Sequence, residues 1–476
     1  MKVVGYASAL AAVLALGTAV ATEIPAPDPA TPRAPDAAAC APGSLVVLAP
    51  TLIDGTGAPA RRVAAVVVRG SRIERIVEEG GTACRGRSID AEGSFLIPGL
   101  WDLHVHLYWA REPALPLLLA HGVTGVRDMG GDLDELLAWR RRIETGELLG
   151  PRLVVAGPML ESPEHVASAR DRGEPEGSLR NHWPVADAAE ARRTVRRLAG
   201  LGVDFVKVRT YASPEVVHAL AEAARDAGLD LVGHPLWSLD PVEAAGAGMA
   251  SFEHGFYPWP PDALDDSGRA RLIEALVERG TALVPTLVSW EPRARSLARV
   301  EARVEDEVGV MDLRRRLVAP ELIENWRSGL ADRRSESREN LAGWREVLDL
   351  HAAEVGALHA AGVRVLPGTD LAGPLIFPGS SLHEELALLV EKAGLTPHEA
   401  LLSATRDAAE FLHLGDRLGT VEEGKEADVV LLAADPLDDV RNLAAVRGVI
   451  ARGRYLGPED LDELLDDVRA AVRRSR

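Results

Sequence analysis

The stretch PGLWDLHVHLYW, Pro98 to Trp109, sets two histidines one residue apart inside an otherwise apolar run. In a β-strand successive side chains point to opposite faces, so His104 and His106 share one face while Leu103, Val105 and Leu107 share the other. Two imidazoles buried on one face call for a common partner.

Outward from this stretch, residues 98–415 alternate short apolar runs with amphipathic ones. The strand candidates are GLWDLHVHL, HGVTGVRDM, PRLVVAG, VDFVKVRTY, LDLVGHP, MASFEHG, TALVPTLVSW and GVRVLPGTD. Helix candidates such as DAAEARRTVRRLAGLG and SPEVVHALAEAARDAG end at glycines. Eight strands alternating with helices predict an α/β fold with a (β/α)8 TIM-like barrel; an open doubly wound sheet is the alternative. The flanks have a different texture. Residues 44–97 and 416–456 are short β-rich runs, one with a hairpin turn at Arg69–Arg72, and predict a small β-sandwich domain built from both chain ends. Residues 291–361 read as a charged helical insertion in the barrel, a solvated excursion, with a lid over the mouth as the alternative. Residues 457–476 read as a C-terminal helix, acidic first and basic last, as its dipole favours.

The strands collect ionisable residues near their C-terminal ends. In VDFVKVRTY, Val206 and Val208 face the helix layer, which turns Phe205, Lys207 and Arg209 toward the interior. An unpaired buried ammonium is costly, so Lys207 must be paired, neutral or chemically modified. LVGHP presents His234, SFEHG presents His254, and VLPGTD presents Asp370. With His104 and His106 these residues come from five strands, at the end where barrel enzymes keep their chemistry. Each alone reads as a hydrogen-bonded core residue; six together suit Zn²⁺ or a similar divalent ion.

Composition narrows the partners. The chain has 476 residues, 47% hydrophobic and 26% charged, with a formal net charge of −19 and no basic stripe. A small-molecule substrate is expected, with no nucleic acid and no stable membrane partner; a homo-oligomer stays open. Met1 to Ala21 has the lysine, apolar run and small-residue cleavage site of an export signal, which places the mature protein in the periplasm or outside the cell. An uncleaved membrane anchor is the alternative. Residues 22–43 are a Pro/Ala-rich tether. Cys40 and Cys84 allow one pairing, and either a disulfide or two free thiols satisfies the sequence.

The motifs TLIDGTG, FLIPGLWDLHVHL, GVTGVRDMGG, GPRLVVAGPML, GVDFVKV, GHP, FEHG, PGTD and ATRDAAEFLHLGDRLGTVEEGKEADVVLLAADP, in this order, resemble the amidohydrolase superfamily over nearly the whole mature chain. The resemblance is to its two-metal members, and to an exported branch similar to prolidase/dipeptidase-like and imidazolonepropionase-like proteins. It implies that His104, His106 and Asp370 hold one metal, that His234 and His254 hold the other, and that Lys207, carboxylated by CO₂, bridges both as a carbamate. It also implies two divalent ions, zinc by preference. A bridging hydroxide then attacks a polarised carbonyl, with Asp370 as the catalytic general base and then acid.

The expected reaction is hydrolysis of a carbon–nitrogen bond in a dipeptide-like or acylated amino acid. Lactone or ester hydrolysis, or deamination, on the same scaffold is the alternative. A non-catalytic exported binding protein is the remote one, disfavoured because all six positions are filled. The Gly-Gly-His stretch that many of these peptidases carry after strand three is replaced by GPMLESPEHVASARDRGEPEGSLRNHW, so His165 is a candidate for a substrate contact. Arg209 and Tyr211 are candidates to meet a substrate carboxylate. Asp128 reads as structural.

Overall fold

The chain divides into residues 1–38 and a compact unit, Ala39–Arg476. The computed structural model describes residues 39–172, 176–209, 212–256, 266–335 and 341–475. The export-signal segment, most of the tether and Tyr211 lie outside the described residues.

Both ends of the unit contribute to one mixed sheet. Its strands are β1 (Ser44–Leu48), β2 (Thr51–Leu52), β3 (Arg61–Arg69), β4 (Arg72–Glu78), β5 (Arg87–Asp90) and β6 (Phe95–Pro98) from the N-terminal side. The C-terminal side adds three more strands, Val429–Leu432, Val446–Ala451 and Arg454–Leu456. From Ala65 to Val68 the run of β3 has the period-two pattern of a strand covered on both faces, and an irregularity between Val63 and Ala65 brings Val63 to the face of Val66 and Val68. Val63, Val66 and Val68 pack with Leu45, Val47 and Leu52, while Ala65 and Val67 pack with Val46 on the other face. β3 and β4 form a hairpin with Arg69 opposite Arg72 and Gly70 in the left-handed region, φ 59°. Cys40 and Cys84 are joined in a disulfide beside this sheet. The chain ends meet where β6 pairs antiparallel with Val429–Leu432.

Only Gly99 separates β6 from β7 (Leu100–Val105), and a Cβ there would lie 2.0 Å from Thr124 Oγ1, so only glycine fits. From β7 onward the strands pair in parallel. One sheet is β7, β8 (Val123–Asp128) and β9 (Arg152–Val155). The other contains β10 (Met159–Glu161), β11 (His182–Pro184), β12 (Phe205–Val208), β13 (Asp230–Gly233), β14 (Met249–Glu253) and β15 (Ala282–Val284). The two sheets are linked at both sides. Asp204 N donates to Val155 O between β9 and the start of β12. The extended segment Val363–Leu371 bridges β15 at Val365 and β7 at Leu371, so the parallel strands curl back to the first of them. Between the strands run helices such as Ala188–Leu201, capped by Asp187 and ended by Gly202 at φ 87°, and Pro214–Asp226, capped by Ser213. Residues 291–361 hold helices Leu297–Val304, Pro320–Ser335 and Leu341–Ala360 and a 3₁₀ turn at Leu313–Leu317. No helix among the described residues is long and apolar enough to cross a membrane.

Three sequence expectations need correction. The face alternation of β7 is broken: Leu103 packs with Trp101, Met129 and Phe205 in the inner cluster, whereas Val105 and Leu107 join the outer one. The ladder with β8 shifts register between Asp102 and Val105, and Arg127 Nε takes Leu103 O at 2.7 Å, so the irregular strand is held by a side chain. GVRVLPGTD makes isolated bridges rather than a strand, and TALVPTLVSW is strand only over Ala282–Val284 before turning into the helix Leu287–Trp290. Pro367 and Pro285 lack the N–H that a ladder would use.

Candidate metal centre

The strand ends bring the predicted side chains together. In β12 the alternation holds: Val206 and Val208 lie in the outer cluster and Phe205 in the inner one, so Lys207 points inward and is 0% exposed. His104, His106 and Asp370 each offer one ligand atom, all within 4.8 Å of one another. Asp370 Oδ1 lies 3.7 Å from His104 Nε2 and 3.6 Å from His106 Nε2, too long for hydrogen bonds and suited to sharing something between them. The ring of His254 is centred 4.6 Å from that of His104 and 4.8 Å from that of His234, so the four imidazoles form one chain.

Three of the four rings are gripped from behind. His104 Nδ1 meets Glu253 Oε2 at 2.8 Å, His106 Nδ1 donates to Gly130 O at 3.1 Å, and His254 Nδ1 meets Thr286 Oγ1 at 2.8 Å. These contacts turn Nε2 toward the centre. Asp102 ties the two sides of the His/His/Asp group: it accepts from His104 N at 3.2 Å and from Thr369 N at 3.0 Å and Oγ1 at 2.7 Å, next to Asp370. Asp128 accepts from Leu107 N and Gly130 N and so braces the loop behind His106. His254, Thr286 and Asp370 all have positive φ, at 66°, 49° and 56°, a conformation uncommon for side chains with a Cβ and concentrated here at the centre.

Electrostatics favour ligand forms. Burial, with the Lys207 cation nearby, pushes His106 down to about 3 and holds His104, His234 and His254 well below the usual histidine range, so the imidazoles are neutral donors of lone pairs. Burial pulls Lys207 down to about 7 against the raising influence of Glu253, which brings the free amine within reach of neutral pH. Burial raises Asp370 to about 6, opposed by Lys207 and Arg209. His104 Nε2 and Lys207 Nζ are buried with no hydrogen-bond partner. Orphaned polar atoms of this kind are rare in a finished core, and here both face the same centre. The donor set of imidazoles, a carboxylate and a lysine fits one or more divalent transition-metal ions.

Several supporting residues escaped the sequence reading. Glu253 and Arg127 form a fully buried pair, Nη2 to Oε1 at 2.9 Å, and the Arg127 guanidinium lies over Phe205 and Phe411. Both sit inside quoted motifs, and a charge within an apolar strand was the available signal. Glu161, 0% exposed, places Oε2 3.7 Å from Arg209 Nε and 3.9 Å from His165 Nε2. The structure therefore gathers His165 and Arg209 around an unforeseen carboxylate.

A parallel α/β scaffold with neutral imidazoles, a carboxylate and an orphaned lysine at its strand ends defines a metal-dependent hydrolase. The model of the amidohydrolase family matches residues 95–456, and the chain belongs to that family. It is 26% identical over 451 residues to the ochratoxinase of Aspergillus niger, covering 83% of this chain and 82% of that protein. A solved Bifidobacterium longum protein provisionally classed as a prolidase superposes with a TM-score of 0.67 at 26% identity, covering 89% of this chain and 98% of the other. Bottromycin amidohydrolase superposes with a TM-score of 0.70 at 25% identity, covering 91% of each chain. The protein is thus a metal-dependent amidohydrolase, a hydrolase of carbon–nitrogen bonds.

Proposed function

We propose that this protein is an exported two-metal hydrolase that cleaves the amide bond of a small acylated amino acid or dipeptide, on a (β/α)8 barrel joined to a β-sandwich. The observation that carries the reading is the unpartnered, fully buried Lys207 Nζ within a cluster of four histidines and Asp370. His104, His106 and Asp370 would hold one ion, His234 and His254 the other, and Lys207 would serve both. Zinc, when bound, supplies Lewis acidity and lowers the pKa of water. For Lys207 to serve, its free amine adds to CO₂ and loses a proton. The N–C bond formed turns a costly buried cation into a carbamate anion.

The remaining work falls to the chain itself. Asp370, raised to about 6, accepts a proton from the attacking water and returns it to the departing nitrogen. Arg209, 29% exposed and backed by Glu161, presents its guanidinium to a substrate carboxylate, with His165 beside it and Tyr211 two residues on. The family relatives named for prolidase and ochratoxinase activity support the amide reading, and the signal-like first 21 residues support export.

The test is purified protein supplied with Zn²⁺ and bicarbonate and screened against dipeptides, N-acyl amino acids and lactones. Amide cleavage with two zinc equivalents per chain is expected. In Lys207→Ala, turnover falls about 10³-fold, the several kcal/mol of Lewis-acid stabilisation expressed as a rate, and a short carboxylic acid restores part of it. Turnover of lactones alone, or a Lys207→Ala protein with full zinc and full rate, overturns the reading.

A further inference from the structure

Glu385, on the helix Ser380–Glu391, is 0% exposed, yet no strand end carries it. Its Oε2 accepts from Val288 N at 2.7 Å. Val288 is the second residue of the helix Leu287–Trp290. The residue before this helix, Thr286, occupies the N-cap position, where a threonine hydroxyl ordinarily accepts from the second or third N–H of its own helix. Thr286 does not: it makes no side-chain cap bond and adopts the left-handed conformation, φ 49° and ψ 45°. Its hydroxyl lies instead 2.8 Å from His254 Nδ1, with Ser289 Oγ at 3.3 Å.

The first N–H groups of a helix must find partners, and buried ones left unmade cost about 1–3 kcal/mol each. A threonine that capped this helix would turn its oxygen away from His254. The cap and the histidine compete for one hydroxyl. The carboxyl group of a helix 97 residues further along the chain ends that competition by taking the Val288 N–H itself.

We propose that Glu385 is a positioning residue for the metal centre, capping the helix Leu287–Trp290 in place of Thr286 and so releasing the Thr286 hydroxyl to orient His254. This rests on the reading of His254 as a metal ligand. Burial pushes the Glu385 carboxyl up to about 8, so near neutral pH it is a neutral acceptor and glutamine is its close mimic.

The experiment is a double-mutant cycle of Glu385 and Thr286, read by Zn²⁺ affinity from chelator competition. Glu385→Gln keeps an acceptor and stays within about threefold of wild type. Glu385→Leu removes it and weakens one zinc site at least about tenfold, the scale of ligand-orienting contacts. Thr286→Val does the same, and the double variant loses no more than the worse single, because both act on one histidine. If Glu385→Leu is insoluble, Glu385→Asp, whose carboxylate falls one methylene short, takes its place in the cycle. Long-range ¹H–¹⁵N spectra of the metal-free proteins give a second readout, with His254 in one tautomer in wild type and in mixed tautomers in Glu385→Leu. Unchanged zinc affinity in Glu385→Leu or Glu385→Asp, losses that multiply in the double variant, or an unchanged His254 tautomer overturns the proposal. If wild type binds no zinc, the metal-centre reading fails, and the tautomer spectra alone decide the role of Glu385.

Discussion

Two of the places where the protein buries charge treat it in opposite ways. At the junction between the mixed sheet and the parallel strands, Arg152 reaches Asp428 at 2.5 Å and also pairs with Glu426, which in turn pairs with Arg417. Asp428 Oδ1 accepts from Arg452 N at 2.6 Å, and Arg452 Nη2 bonds Gly150 O. Burial opposes the Arg152 charge, but Asp428 and Glu426 more than offset it and hold the guanidinium above its ordinary value. At the strand ends, Lys207 and the four histidines are driven the other way, toward neutrality, and two buried polar atoms are left without partners. At the junction each named charge meets an opposite charge of the chain, whereas at the strand ends Lys207 Nζ and His104 Nε2 meet none.

If this contrast is right, substitutions at the two places separate activity from stability. The largest effect is at the centre: Asp370→Asn lowers kcat about 10³-fold, the upper part of the range for lost acid–base catalysis, while metal-free stability in urea at neutral pH holds or rises, because the amide removes a charge that burial disfavours. A variant equally inactive and unfolded would break the contrast. Next comes the junction. Asp428→Ala leaves Arg152 with Glu426 alone and the Arg452 N–H without its acceptor, and is expected to cost about 2 kcal/mol in urea unfolding, with the kcat of the folded fraction unchanged. A fall in kcat without loss of stability would make the junction part of the active machinery.

The smallest effect sharpens the comparison with an intermediate case. Glu354, half-buried on the helix Leu341–Ala360, is raised to about 7 by burial, with Arg269 only partly opposing. Its folded form holds the proton more tightly than the unfolded one. The stability it lends is complete below its ordinary value of 4.5 and is lost as pH rises through 7. Glu354→Gln, uncharged at every pH, is therefore expected to be more stable than wild type at pH 8 by about 1 kcal/mol and equal to it near pH 4.5. Parallel stability curves for the two proteins across this range would show that Glu354 is solvated like any surface acid.

The ligand candidates were legible because each carries a local contradiction. Two histidines on one face of an apolar strand, a lysine among valines, and an aspartate closing VLPGTD are all costly without a partner, and the period-two rule says which way they point. The same rule failed inside β7, where Leu103 turned inward because Arg127 holds its carbonyl and the register slips. The disulfide could not be read, since two cysteines fit a bridge and free thiols equally until the sheet brings Ala39 beside Arg85. Glu385 gave no signal: in its helix it looks like any surface glutamate.

By itself the sequence determined which polar side chains sit at a cost within apolar runs, because alternation and burial cost act over a few residues. Only the tertiary structure decided what aims them. Glu253 lies 149 residues from His104 and Glu385 lies 97 from Val288, and a hydrogen bond across such separations exists only once the chain has closed on itself.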